Sequence, residues 1–488
     1  MEIDRRDFIK KAAMVSSAAA GSLSAQRSPA NKMIGIQVGA VSFLDEGVEQ
    51  VLDTFQQRAS INTLFLAVFT YGRGIAGRQV PGQPLPDHGK QEYDLNFHGG
   101  NFATPHAQYY HDTALKAEDT RAPDHPGVDI ITTVLPAAKK RGIRTILWAE
   151  DVFRADLPNV GKLHEQDVHG RPGTRICFNN PNTRNFLLGL VEDYSRSYDV
   201  DGIMWCSERM GPMNNAIRSA NAERASCFCQ FCQAKGKRLG INVDRAREGY
   251  LALEKFLKDA SGGQRPVDGY YVTFWRTILR YPEILAWETL WNDSLRETYQ
   301  ALYNKVKSAK PNMLCGWHIF HNNSFSPTFR AEQDLQELSK YSDFFKMVMY
   351  NNCAGPRMAR YIDGIHKGVF ADIPKQDLLE FEYHVLNYKE RSYEEIPSTG
   401  FSSDYVYREA KRAMDGAAGT KTLIWPGIDI DIPTAANQSK CTPHGVKEAV
   451  SAAFRANVPG VILSRKYSEM RLANLSGAGE AIKELKLA

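Results

Sequence analysis

Short runs of apolar and β-branched residues recur along this chain, each closed by glycine or by polar residues. They fall at residues 33–38, 63–69, 144–148, 202–206, 313–319, 344–350, 422–425 and 460–463. Between them, at 130–141, 183–198, 295–309, 331–340, 404–417 and 446–456, apolar residues return every three or four positions, the spacing of an amphipathic helix. A strand that is apolar at consecutive positions has both faces covered. Such strands alternating with helices imply a parallel sheet between helical layers, and eight units of this kind predict an α/β fold, a (β/α)8 TIM barrel. A ninth run, 378–385, alternates through Glu380, Glu382 and His384, yet Leu378, Leu379, Tyr383, Val385 and Leu386 also suit one helix face. Closure of the barrel at eight strands assigns this run to a helix or loop.

Two gaps are too long for plain connections: 70–128 after the second strand and 209–312 after the fourth. Both follow strand C-termini, the end where barrels of this kind build their sites, so both insertions are expected to shape a cleft. With them, residues 26–488 read as a single barrel domain.

Ahead of it, residues 1–25 read as a twin-arginine signal peptide. Asp4-Arg5-Arg6-Asp7-Phe8-Ile9-Lys10 follows the pattern except at Asp4, a weakly apolar Ala/Ser stretch follows, and Leu23-Ser24-Ala25 offers a cleavage site. The expected destination is the periplasm or the exterior, reached in the folded state. Past the N-terminus no run of about eighteen apolar residues marks an integral membrane span. Lys and Arg total 60 against 56 Asp and Glu, a balance of +4 too mild to argue for nucleic acid, and no basic stripe is interleaved with aromatics. Aromatics at 10%, with 21 Tyr and 7 Trp, suit a ligand cleft.

Candidate chemistry gathers at the strand ends. The stretch Tyr198-Asp199-Val200-Asp201-Gly202-Ile203-Met204-Trp205-Cys206-Ser207-Glu208-Arg209 carries the fourth strand to about Cys206 and leaves Glu208 at its lip. A carboxyl group there, its pKa raised by burial, suits a general acid/base; the alternative is an ion pair with Arg209 or a neighbouring arginine. Planar amides, imidazoles, carboxylates and aromatic faces match a sugar. The expected substrate contacts are therefore His98, Asn101, Trp148, Glu150, Arg209, His318, His321, Tyr350, Trp425 and Asp431. Of 8 cysteines, three stand together as Cys227-x-Cys229-x-x-Cys232. Clusters this tight suit a metal better than disulfides.

The stretch NPNTRNFLLGLVEDYSRSYDVDGIMW, residues 180–205, resembles the corresponding part of glycoside-hydrolase-like barrels, including hypothetical glycosyl hydrolase families. Behind it, CFCQFCQAKGKRLGI resembles the zinc loop of family 42 β-galactosidases, which also have a counterpart of Cys177. The resemblance covers roughly residues 140–240. Where that clan has Asn-Glu after the fourth strand, this chain has Ser207-Glu208. It implies a structural zinc on Cys177, Cys227, Cys229 and Cys232, with free buried thiols or a Cys177 disulfide as alternatives. It also implies a second catalytic carboxylate after the seventh strand, where Asp429 stands; Asp431, Glu150, Asp151 and Glu382 are its rivals.

The reading these features favour is an exported glycosidase acting on a carbohydrate substrate. Glu208 is its general acid/base, Asp429 its nucleophile or base, and no organic cofactor is expected. One alternative is a metal-dependent sugar isomerase or epimerase of the xylose-isomerase-like type, with Glu208, His318 and Asp429 as ligands. The other is a sugar-binding barrel without catalysis.

Overall fold

A computed structural model describes residues 32–71, 86–94 and 96–487. The export signal expected over 1–25 lies outside the described residues, as does part of the first insertion. Eight parallel strands form one ring: β1 (Met33–Gly39), β2 (Thr63–Thr70), β3 (Arg144–Glu150), β4 (Gly202–Cys206), β5 (Leu314–Ile319), β6 (Phe344–Val348), β7 (Leu423–Asp429) and β8 (Gly460–Ser464). β1 pairs with β2, Gly35 opposite Thr63, and with β8, Met33 opposite Gly460; these two pairings close the barrel. β7 continues through Pro426, which stands opposite Met347 of β6, beyond the end its apolar run predicts. The ambiguous run 378–385 lies in a helix, Lys375–Leu386.

The strands are apolar throughout because successive side chains enter different cores. Met33, Phe65, Ile146, Met204, Phe344 and Ile462 cluster within the ring, together with Trp148 and Trp425. Their neighbours in sequence, Ile34, Leu64, Leu147, Ile203, Phe345, Ile424 and Leu463, pack outward with the helices. Trp425 stacks on Phe344 at 4.4 Å, and Phe65 meets Trp425 edge-on at 6.0 Å. Gly316 of β5 makes room for them: a Cβ there would lie 2.6 Å from the Phe344 ring and 2.5 Å from its carbonyl oxygen.

Polar residues entering alternate strands fasten the barrel floor. Asn62 accepts the N–H of Ile34 at 2.9 Å, Asp201 that of Thr145 at 2.7 Å, and Asp343 that of Cys315 at 2.8 Å. Each ties the start of one strand to the strand before it and satisfies a buried donor. Asn180 and Pro181 open the helix Pro181–Ser197; the Asn180 side chain accepts the Asn182 N–H at 3.0 Å.

Between β4 and β5 the chain forms five helices with a core of their own, where Cys177, Phe228, Tyr250, Leu253 and Trp287 meet. The last helix, Glu283–Ala309, joins the two cores. Ile284, Trp287 and Leu290 lie in the smaller one, while Leu295, Tyr299, Leu302 and Val306 pack on the barrel. After β3, an antiparallel hairpin, His164–Gln166 with Pro172–Ile176, leans against this insertion; the sequence pattern did not single it out.

Gly316→Ala should lower unfolding free energy by about 1–3 kcal/mol, the usual cost of overpacking a core. The measurement is the urea midpoint at unchanged m-value. An unshifted midpoint would show that the ring of Phe344 has room to retreat.

Candidate active site

The inward positions turn polar where the apolar filling of the barrel stops. Glu150, Cys206, His318 and Lys346 stand opposite one another on β3 to β6. Lys346 is buried. Its Nζ donates to Gln37 Oε1 at 2.6 Å and to the Tyr350 hydroxyl at 2.7 Å. Among the described residues no carboxylate pairs with it, and burial lowers its pKa to about 7 despite the charges of Cys206, Glu208 and Glu150.

Glu208 projects into the mouth two residues beyond β4, with 53% of its side chain exposed, and its Oε1 lies 3.0 Å from Nε2 of buried His318. Partial desolvation inside the mouth would raise its pKa, but the hydrogen bond donated by His318 and the positive charges of Arg357 and Lys346 hold it at about 2. Burial and the nearby Lys346 depress His318 to about 4, so the neutral ring donates Nε2–H to the carboxylate. Nδ1 of His318 is buried with no partner among the described residues.

Glu150 has the opposite character. Burial pushes its pKa up to about 7; the Thr70 hydroxyl donates to Oε2 at 2.5 Å and opposes the rise, while the charges of Glu208 and Asp151 add to it. The mouth therefore holds one ionised carboxylate and one carboxyl that is partly protonated at neutral pH.

The other expected site residues divide clearly. Tyr350 joins the centre through Lys346. His321 lies one layer behind, its Nδ1 accepting from Arg357 Nη1 at 2.9 Å and its Nε2 3.1 Å from the Tyr405 hydroxyl. Asp429 is buried at the end of β7 and accepts the N–H groups of Cys353 at 3.0 Å and Asn352 at 3.3 Å, so it anchors the start of the helix Asn351–His366. Burial raises its pKa to about 6 against those two bonds. Asp431 pairs with Arg471 at 2.7 Å and binds Asn474, clamping the C-terminal helix. Arg209 is buried in an ion pair with Glu165 at 2.5 Å and lies over the Phe178 ring at 4.5 Å. Trp148 and Trp425 stand inside the ring as core residues, 3% and 1% exposed, not as sugar platforms. In the first insertion, Asn101 accepts from the Tyr194 hydroxyl at 2.8 Å, and His98 pairs with Asp124 at 3.1 Å on the surface. Of the rival carboxylates, Asp151 accepts from the Ser207 hydroxyl at 2.8 Å, and Glu382 is buried in the helix Lys375–Leu386.

Lys346, Thr70 and Arg357 are site residues that the sequence reading missed. Lys346 did leave a signal: it is the one charged residue inside the apolar run Phe344-Phe345-Lys346-Met347-Val348.

Cys206, Glu208 and His318 offer ligand atoms within 4.8 Å of one another. Lys346, Arg357 and Arg465 all act on this centre, and their positive field opposes a bound cation. The isomerase cage is also incomplete, because Asp429 is held by backbone groups elsewhere. A second set could hold a metal. Cys177, Cys227, Cys229 and Cys232 are all buried, with sulfurs within 4.8 Å of one another. Cys177 lies 3.5 Å from both Cys229 and Cys232, too far for a disulfide. The Cys229 N–H points to Cys227 Sγ at 3.4 Å and the Asn179 amide to Cys232 Sγ at 3.3 Å, as donors to thiolates do.

The sequence matches no known protein-family profile and no curated protein. Solved structures share the fold. The β-galactosidase of the Antarctic haloarchaeon Halorubrum lacusprofundi is similar with a TM-score of 0.51 at 13% identity, over 93% of this chain and 58% of that one. The α-L-fucosidase isoenzyme 2 of Paenibacillus thiaminolyticus has a TM-score of 0.50 at 10% identity, over 93% and 49%. The chain thus spans about half the length of these two proteins. At such identities the likeness is one of fold: the chain is a (β/α)8 TIM barrel.

Proposed function

We propose that this chain is a carbohydrate-active enzyme, a glycoside hydrolase whose two working carboxyl groups are Glu208 and Glu150. The observation that carries the reading is that two carboxyl groups stand at the ends of adjacent strands in opposite settings: Glu208 is hydrogen-bonded to His318 and held at about 2, and Glu150 is buried on the Thr70 hydroxyl and raised to about 7. Glycosidic cleavage requires such a pair. Glu150 gives its proton to the leaving oxygen as the C–O bond breaks. The Glu208 carboxylate bonds to the anomeric carbon, or takes the proton of the attacking water. His318 holds Glu208 ionised and oriented through its Nε2–H. Asp429, the expected second carboxylate, becomes a positioning residue, since it fixes the helix that carries Arg357. The barrel likeness to a β-galactosidase and an α-L-fucosidase supports a carbohydrate substrate.

The four cysteines fit a structural zinc. Their 3.5 Å separations approach the edge of about 3.8 Å expected for a ZnS4 tetrahedron. Four protein ligands leave no open position, so the ion would pin the insertion behind Glu208 and take no part in the chemistry. The twin-arginine pattern at the N-terminus supports export to the periplasm or beyond, after folding and metal loading in the cytosol.

With an aryl glycoside, kcat/KM should fall tenfold per pH unit above about 7, where Glu150 loses its proton. Glu150→Gln should erase that alkaline limb and lower kcat by about 10²–10⁴-fold. Glu208→Gln should abolish turnover with sugar binding kept. Full loss in a folded Asp429→Asn protein, with Glu150→Gln active, would return the second role to Asp429. Purified protein should contain one zinc per chain, and Cys229→Ser should lose the metal and melt at lower temperature. Metal-free protein with four freely titratable thiols and unchanged melting would overturn the zinc reading.

A further inference from the structure

The insertion after β4 is apolar on its outer side as well as in its core. Its helix Tyr270–Arg280 turns Tyr270, Phe274 and Ile278 into the smaller core. Tyr271, Val272, Trp275 and Leu279 recur at the same spacing but face solvent, with 48, 48, 42 and 77% of their surface exposed. A surface helix needs one apolar stripe to pack on its core; this one carries a second beside the first. Tyr271, Val272, Trp275, Arg276 and Leu279 line a groove of about 340 Å³ along it. Exposed Val267 and Leu285 flank the helix in the chain.

Composition and charge say what covers this face. From Gly262 to Leu285 the chain has no lysine, only arginine and aromatic residues among its large polar and apolar side chains at the groove, the bias of a protein interface. The helix starts on acidic charge and ends on basic charge. Asp268 precedes it and Asp372 accepts the Tyr270 N–H at 2.8 Å, while Arg276 and Arg280 lie towards its end. Arg276 pairs with Asp268 at 2.6 Å, but among the described residues no carboxylate lies within 4.0 Å of Arg280. A second copy of the same helix, running antiparallel about a two-fold axis at Trp275, complements this pattern. Leu279 of each copy then meets Tyr271 of the other, Arg280 comes opposite the acidic first turn, and the helix dipoles oppose. The exposed apolar side chains amount to several hundred Å², against the roughly 300–600 Å² of the largest patch on an ordinary monomer. With the charged rim they approach the ~800 Å² per partner of a stable interface. A glycan fits less well, because the rings of Tyr271 and Trp275 stand at 77° to each other and no carboxylate or amide side chain lines the groove.

We propose that the outer face of the helix Tyr270–Arg280 is the contact of a homodimer, in which two copies pack this helix antiparallel across a two-fold axis. The contact lies on the far side of the smaller core and is independent of the chemistry at the mouth.

Sedimentation equilibrium of the full chain over about 0.1–100 µM should show a reversible monomer–dimer equilibrium. Leu279→Arg should weaken the dimer at least about 100-fold and Arg280→Glu about tenfold. Leu239→Arg, at a position of the same insertion that is 57% exposed, should leave the dimer unchanged. Unchanged circular dichroism separates a lost contact from a lost fold; where Leu279→Arg disturbs the helix, Trp275→Ser takes its place. A chain that stays monomeric throughout, or a dimer indifferent to both Leu279→Arg and Trp275→Ser, would overturn the proposal. So would a monomer that floats with phosphatidylglycerol vesicles and loses that binding with Leu279→Arg, since the face would then belong to a membrane surface.

Discussion

An ammonium group held inside an apolar barrel sets the terms for everything at its mouth. Lys346 is buried above the packed rings of Phe344 and Trp425, with Gln37 and Tyr350 as its hydrogen-bond partners. Burial lowers its pKa to about 7, so near neutral pH it is charged only in part, and whatever charge it carries projects a strong field in a medium of low dielectric. That field helps keep His318 neutral and Glu208 ionised, and the imidazole donates to the carboxylate as a result. Glu150, on the far side of Cys206 in the same register, stands next to the Glu208 charge and is pushed the other way.

This electrostatic layer depends on the layer beneath it. Residues of one parity on every strand enter the ring, and Met33, Phe65, Ile146, Met204, Phe344, Trp425 and Ile462 fill it beneath the polar rim. Gly316 admits the Phe344 ring, and Asn62, Asp201 and Asp343 lock adjacent strands at the base. A closed, filled ring of this kind has no slack, so the polar residues at its rim keep a fixed register.

The insertion after β4 extends that rigidity outward. The helix Glu283–Ala309 is rooted in both cores, and Glu288 on it accepts the N–H groups of Met213 at 2.7 Å and Asn214 at 3.2 Å. The short helix that carries Arg218 is thereby fixed just after Glu208. Arg209, between them, lies over the rings of Phe178 and Trp291 and is neutralised by Glu165. The cysteine set belongs to the same smaller core, with Trp287 donating to the Cys227 carbonyl at 3.2 Å.

The barrel and its strand positions were legible in the chain because consecutive apolar runs between amphipathic segments admit few other architectures. The strand-end places of Glu208 and His318 and the grouping of three of the four cysteines were legible as well, since strand ends and tight cysteine spacing are local features. What only the tertiary structure decided concerns partners distant in sequence. Trp148 and Trp425 share their strand-end setting with His318, yet they fall below the rim, and only the register of eight strands separates core from mouth. Asp429 sits at the expected strand end, but backbone N–H groups of a helix that begins 78 positions earlier, at Asn351, claim both of its oxygens. Glu150 and Lys346 look like single charges in apolar strands. Their character comes from burial beside each other's neighbours, a property that no stretch of sequence contains.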